Sequence, residues 1–173
     1  MGDTQKTRVA VNGYGVIGKR VAAAVVLQED ISLTGVSDVV TDWRAHIVTR
    51  NGFSLFGATG EHAGAMRAAG LNVTGTLDEL LGQVDVVVDC TPKRIAAKNV
   101  EVYRRCGLKF ILQGGEKHSA TGHSFVAESN YSTALDREAT RVVQHHVHRA
   151  HVDGAQKGRV TAACQRDAAA AGH

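Results

Sequence analysis

Val9-Ala10-Val11-Asn12-Gly13-Tyr14-Gly15-Val16-Ile17-Gly18-Lys19-Arg20 is a short β-type run that breaks into glycines and then turns helical. Val9 to Val11 suit a buried strand, and residues 16–27 have the Ala and Val content of a helix packed on a sheet. Between them Gly13, Gly15 and Gly18 make G-x-G-x-x-G. In the order strand, turn, helix, each glycine has a mechanical role: the first permits a tight turn, the second lets backbone approach a pyrophosphate, the third lets helix and strand pack closely. The helix N-terminus then faces the anion with its unpaired N–H groups. The stretch predicts a dinucleotide site, and a purely structural glycine turn is the alternative.

The bulk of the chain agrees with one domain. With 173 residues, 43% of them hydrophobic, it can bury a substantial core but has no room for a second large domain. The net charge is +3, and the last thirty residues hold four Lys or Arg against two Asp, so the body is nearly balanced and no nucleic-acid partner is expected. Cys90, Cys106 and Cys164 are widely spaced without C-x-x-C, which argues against a disulfide framework or zinc site and for reduced thiols. Residues 1–6 lack the apolar core of a signal peptide, and no apolar run approaches membrane-spanning length. A cytoplasmic protein with no membrane partner is expected.

Downstream, alternating strand and helix signals predict an α/β fold: a doubly wound, mostly parallel sheet over residues 8–143. Residues 31–37 alternate as a second strand ending at Asp38, twenty residues after Gly18, where such folds place an acid that accepts from the adenosine ribose. A carboxylate there would repel a 2′-phosphate and favour NAD over NADP; a solvated turn aspartate is the alternative. Residues 42–51 read as a helix with Asp42 at its N-cap, residues 54–58 as a strand, and residues 61–69 as a helix. Trp43, the only tryptophan, reads as packing rather than recognition. Thr76 and Glu79 form a capping-box pattern, and residues 84–88 suit the centre of a parallel sheet. Then comes Asp89-Cys90-Thr91-Pro92-Lys93, whose proline is expected in the first turn of a helix over residues 93–106, beside the dinucleotide. A strand over residues 109–112 ends at Gln113-Gly114-Gly115-Glu116-Lys117, where two glycines would admit a nicotinamide ring; an ordinary loop is the alternative.

Four separated motifs, A-V-N-G-Y-G-V-I-G-K-R, D-C-T-P-K, Q-G-G-E-K and Asn130-Tyr131 ahead of Arg141-Val142-Val143, occur in the order found in archaeal-type (type II) glyceraldehyde-3-phosphate dehydrogenases. The chain resembles that family from about Arg8 to Val143. The resemblance implies a Rossmann-type cofactor-binding domain over residues 1–143 that binds NAD or NADP. Its candidate contacts are Gly13, Tyr14, Gly15, Val16, Ile17, Gly18, Asp38, Cys90, Thr91 and Pro92, with Gly114 or Gly115 near the nicotinamide. It also implies a glycolytic oxidoreductase that phosphorylates an aldehyde through a cysteine thioester, in homo-oligomers. A non-catalytic dinucleotide module and another Rossmann oxidoreductase of small carbonyl substrates are the alternative functions.

Two departures stand out. The family carries a Lys-Thr type sequence after its second strand, fitting NADP, where this chain has Ser37-Asp38-Val39-Val40. The family also continues from the Arg-Val-Val strand into Ser-Cys-Asn-Thr-Thr, which supplies the nucleophile, where this chain reads Gln144-His145-His146-Val147-His148-Arg149. Residues 144–173 hold eight Ala, five His and no Leu, Ile, Phe, Tyr, Trp or Met, so disorder is expected there and no metal site. No catalytic residue is assigned, and a catalytic domain is expected to be absent. Val143-Gln144-His145-His146 can be written GTG CAA CAC CAC, and the same bases read from the second position encode Cys-Asn-Thr-Thr. A shifted reading frame would therefore account for the change.

Overall fold

The computed structural model describes residues 6–113, 115–126 and 130–143. From β1 (Thr7–Asn12) the chain passes through α1 (Val16–Val25), β2 (Ile31–Asp38), α2 (Trp43–Arg50), β3 (Leu55–Gly57), α3 (Gly60–Ala68) and β4 (Val73–Thr76). It then returns through α4 (Leu77–Leu81) to β5 (Val86–Asp89), α5 (Ile95–Arg105), β6 (Lys109–Leu112), β7 (Ser124–Phe125) and β8 (Ala139–Val142). The strands lie in the order β4-β3-β2-β1-β5-β6-β8-β7, and the pairings among the described residues are parallel. This is the doubly wound sheet expected, and its winding reverses between β1 and β5. Ligands of open α/β sheets bind outside the carboxyl ends of the strands at such a reversal.

Side chains along a strand alternate between faces, so the sheet builds two cores. Ala10 lies with Leu80, Val87, Val100, Tyr103 and Phe110 beneath α4 and α5, whereas Val11 lies with Ala22, Val36, Val48, Leu55 and Met66 beneath α1, α2 and α3. Helix starts follow their local chemistry. The Asp42 carboxylate accepts from Arg44 N at 2.9 Å, capping α2. Thr76 and Glu79 complete a reciprocal capping box at α4, with Thr76 N donating to Glu79 Oε2 at 2.7 Å.

Three expectations are corrected. Helix α5 begins at Ile95, so Pro92 stands in the preceding turn: its carbonyl accepts from Ile95 N at 3.0 Å, and Arg94, at φ 77°, breaks any helical run from residue 93. Strands β4 and β7 were not expected. Trp43 is not core packing, since it is 64% exposed.

Candidate functional site

The carboxyl ends of β2, β1, β5 and β6 stand side by side, which puts Asp38, the glycine turn, the Asp89-Cys90-Thr91 turn and the loop after Gln113 along one edge. Neighbouring parallel strands are about 4.8 Å apart, so these four ends span about 14 Å. Backbone hydrogen bonds carry the sheet into the turns. Gly13 N donates to Ser37 O at 2.8 Å, Cys90 N to Asn12 O at 2.7 Å and Gln113 N to Asp89 O at 2.8 Å.

The glycines differ in what surrounds them. Gly13 has φ +92°, and a Cβ there would meet Cys90 C and Thr91 N at 3.0 Å. A Cβ on buried Gly18 would stand 1.9 Å from Gly13 O, so α1 rests directly on the turn. Around Gly15 a Cβ would meet nothing within 4 Å. Gly15 also caps α1 with no side-chain hydrogen bond, and no acid occupies the first turn. No side chain caps this helix end and the space beside Gly15 is open, which suits an anion. Val16 is exposed and Ile17 half-buried beside them.

Tyr14 contributes backbone rather than ring to the edge. The ring is buried, meets Phe53 edge-on, and its hydroxyl accepts from Asn51 Nδ2 at 3.2 Å. Its N–H donates to Asp38 Oδ2 at 2.7 Å, while Val39 N donates to Asp38 Oδ1 at 2.7 Å. Asp38 thus fastens the glycine turn to the end of β2, and each carboxylate oxygen keeps acceptor capacity for a ribose hydroxyl. Arg44, the nearest cation read from the sequence, is engaged elsewhere: its guanidinium forks onto Asp42 at 2.7 to 3.0 Å.

Beneath the β5 turn lies a polar network that local sequence does not reveal. Asp89 is fully buried and accepts from Thr91 N at 2.8 Å, Thr91 Oγ1 at 2.5 Å, Asn99 Nδ2 at 2.9 Å and the Tyr103 hydroxyl at 2.7 Å. The Tyr103 oxygen in turn accepts from Asn12 Nδ2 at 2.8 Å. Burial, with the charge of Asp89 beside it, pushes the Tyr103 phenol well up, so it stays a donor. The only sequence signal was a polar residue closing an apolar run, Asn12 after Val9 to Val11 and Asp89 after Val86 to Val88. Cys90 is half-buried there, and burial followed by the Asp89 charge pushes its thiol up to about 12. It is a protonated packing group rather than a nucleophile.

At the far end Pro92 and Gly115 are exposed, and Gly114 lies outside the described residues. Buried Glu116 ties the two loops together, since its Oε1 accepts from Arg94 N at 2.6 Å. Arg141 of β8 supports the same loop by donating to Glu116 O at 3.0 Å. The expected tail, residues 144–173, lies outside the described residues. Among the described residues there is no cluster of His, Cys, Asp or Glu able to hold a metal, and no helix is long and apolar enough to cross a membrane.

Residues 7–135 match the family model described as dihydrodipicolinate reductase, N-terminus. The chain is 44% identical over 135 residues to a glyceraldehyde-3-phosphate dehydrogenase of Methanothermus fervidus, across 78% of this chain and 40% of that protein. It is 48% identical over 136 residues to the enzyme of the same name from Methanobacterium bryantii, across 78% of this chain and 40% of that protein. It therefore spans about two fifths of the length of the curated relatives it matches. Among solved structures, apo scyllo-inositol dehydrogenase from Lactobacillus casei superposes with a TM-score of 0.52 at 15% identity, over 80% of this chain and 37% of that one, a likeness of fold alone.

Proposed function

The chain belongs to the family of dihydrodipicolinate reductase N-terminal domains, and from that premise we propose that it is the NAD- or NADP-binding part of an archaeal-type glyceraldehyde-3-phosphate dehydrogenase. The observation that carries the reading is the uncovered N-terminus of α1 at the β1/β5 reversal, with open space at Gly15 and close packing at Gly13 and Gly18. A pyrophosphate at that helix end is met by backbone N–H groups and the helix dipole. Asp38 takes a ribose hydroxyl, the Cys90-Thr91-Pro92 turn flanks the pyrophosphate, and the loop at Gly114 and Gly115 borders the nicotinamide. When bound, the nicotinamide accepts a hydride. Asp38 favours NAD, because its charge opposes a 2′-phosphate and Arg44 is held by Asp42.

The reading of this chain as a binding part without turnover of its own has specific support. Thioester chemistry needs an accessible thiolate beside a base. Cys90 is held protonated, Cys106 follows α5 at the edge where the strands begin, away from the site, and Cys164 lies outside the described residues. For residues 144–173 a shifted reading frame accounts for the missing Ser-Cys-Asn-Thr-Thr, and the coding sequence tests it. A cytoplasmic location and homo-oligomers of the intact enzyme complete the proposal.

The deciding experiment is calorimetric titration of the purified chain with NAD and NADP, alongside an assay with glyceraldehyde 3-phosphate, phosphate and either cofactor. Saturable binding without turnover is expected. No binding of either dinucleotide would refute the binding role, and turnover would refute its lack of catalysis.

A further inference from the structure

Trp43 is the single tryptophan of the chain and stands 64% exposed, an unusual position for the largest apolar side chain. Its backbone is fixed, because it opens α2 directly after the Asp42 cap. Lys19 of α1 reaches it: Lys19 Nζ is 4.1 Å from the indole centroid and 5.9 Å from the centroid of the Tyr14 ring, so one side chain bridges Trp43 to the glycine turn. Val16, at the first position of α1, is 73% exposed, and Val39, just beyond β2, is 50% exposed. An uncovered apolar and aromatic surface thus flanks Asp38 on the β2 side of the pyrophosphate position.

From this arrangement we infer that Trp43 is a stacking platform for the adenine ring of the dinucleotide, with Lys19 holding the indole from its other face. The inference rests on the dinucleotide reading above and deepens it. The direction follows from the sheet. With the pyrophosphate on α1 and the nicotinamide toward β6, the adenosine half extends past β2 to the start of α2. A purine has two apolar faces that an indole matches; Lys19 Nζ lies over the indole, and Trp43 as a whole stays 64% exposed. Asp38 meets the ribose and Trp43 the base, so two residues five apart in sequence serve one nucleoside.

The lone tryptophan makes the test direct in the full chain. Its emission, excited at the red edge of indole absorption where adenine is transparent, is followed during titration with NAD, AMP and nicotinamide mononucleotide, with calorimetry in parallel. NAD and AMP are expected to change the emission and nicotinamide mononucleotide to leave it unchanged. Trp43→Leu should weaken NAD about tenfold, as removal of one base–aromatic stack does, while Trp43→Phe retains most of the affinity. NAD binding by calorimetry with unaltered emission, or equal NAD affinity in a folded Trp43→Leu chain, overturns the adenine platform alone. Failure of the unaltered chain to bind NAD overturns the dinucleotide reading and this inference with it.

Discussion

Alanine at Gly15 is predicted to impair binding and alanine at Gly18 to impair stability, although the two glycines are three residues apart in one motif. At Gly18 the added Cβ would stand 1.9 Å from Gly13 O, where real Cβ contacts keep 3.0 Å or more. The obstacle is backbone in a turn that is itself fastened to Ser37, Asp38 and Cys90, so α1 must move by about an ångström. Overpacking against an unyielding neighbour costs about 3 kcal/mol, which lowers Tm by roughly 10 °C in a domain of this size. At Gly15 the Cβ meets nothing, and φ −72° with ψ −159° is open to any residue. Alanine there restricts the unfolded chain but is a poorer N-cap than glycine, so stability should change by no more than about 1 kcal/mol. Its methyl nevertheless lies where the pyrophosphate approaches backbone, so NAD affinity should fall at least about tenfold, or ~1.4 kcal/mol. Denaturant unfolding and calorimetric titration of both variants separate the two effects. Parental NAD affinity in Gly15→Ala would refute the placement of the pyrophosphate, and parental stability in Gly18→Ala would refute the packing argument.

Asp38→Asn removes the charge but keeps an oxygen for the Tyr14 N–H, so the ratio of NADP to NAD affinity should rise about tenfold; an unchanged ratio in paired titrations counts against Asp38 as the selector. In timed alkylation followed by peptide mass analysis, exposed Cys106 should label well before Cys90, whose thiol is pushed up to about 12; equal rates would contradict its burial. Tyr103→Phe strands the Asn12 amide and removes one donor from buried Asp89, costing about 1–3 kcal/mol in denaturant unfolding; a neutral result would mean that the network is dispensable. His123, buried between Thr140 and Thr133, has its pKa lowered by burial first and then by Arg137 and His118. The unfolded state therefore binds the extra proton first, and stability present above pH 6.5 should decline as pH falls below it; a flat profile between pH 7 and 5, or one that His123→Gln does not alter, would exclude this coupling.

Local chemistry made much of the fold readable. The β1 run, the glycine turn and α1 announce one another within twelve residues, Asp42 and Thr76 mark helix starts by their own side chains, and Val86 to Val88 are apolar enough to belong at the centre of a sheet. β4 escaped because V-T-G-T has one large apolar residue and a glycine, and its pairing with β3 is irregular. The helix over residues 93–106 was read two residues too early because a proline suits a first helical turn, whereas the left-handed backbone of Arg94 has no signature in residue type. The Asn12, Asp89 and Tyr103 network joins residues up to 91 positions apart. No periodicity reports such a contact, since it exists only once β1, β5 and α5 have met. Trp43 was misread for the same reason: a tryptophan at a helix start is core or surface according to what lies opposite, and here that is Lys19.

The interleaving of β8 between β6 and β7 fixes an order of assembly. β7 pairs only with β8 among the described strands, so Ser124 and Phe125 have no ladder partner until the ribosome has delivered Ala139–Val142. β6 likewise presents an open edge through that interval, and unpaired edges invite association with other chains. β1 to β4, by contrast, can pair as they emerge, each beside the strand just made. The sheet therefore grows outward on one side and closes by insertion on the other, which makes the arrival of β8 the step that ends the exposure of a nascent edge.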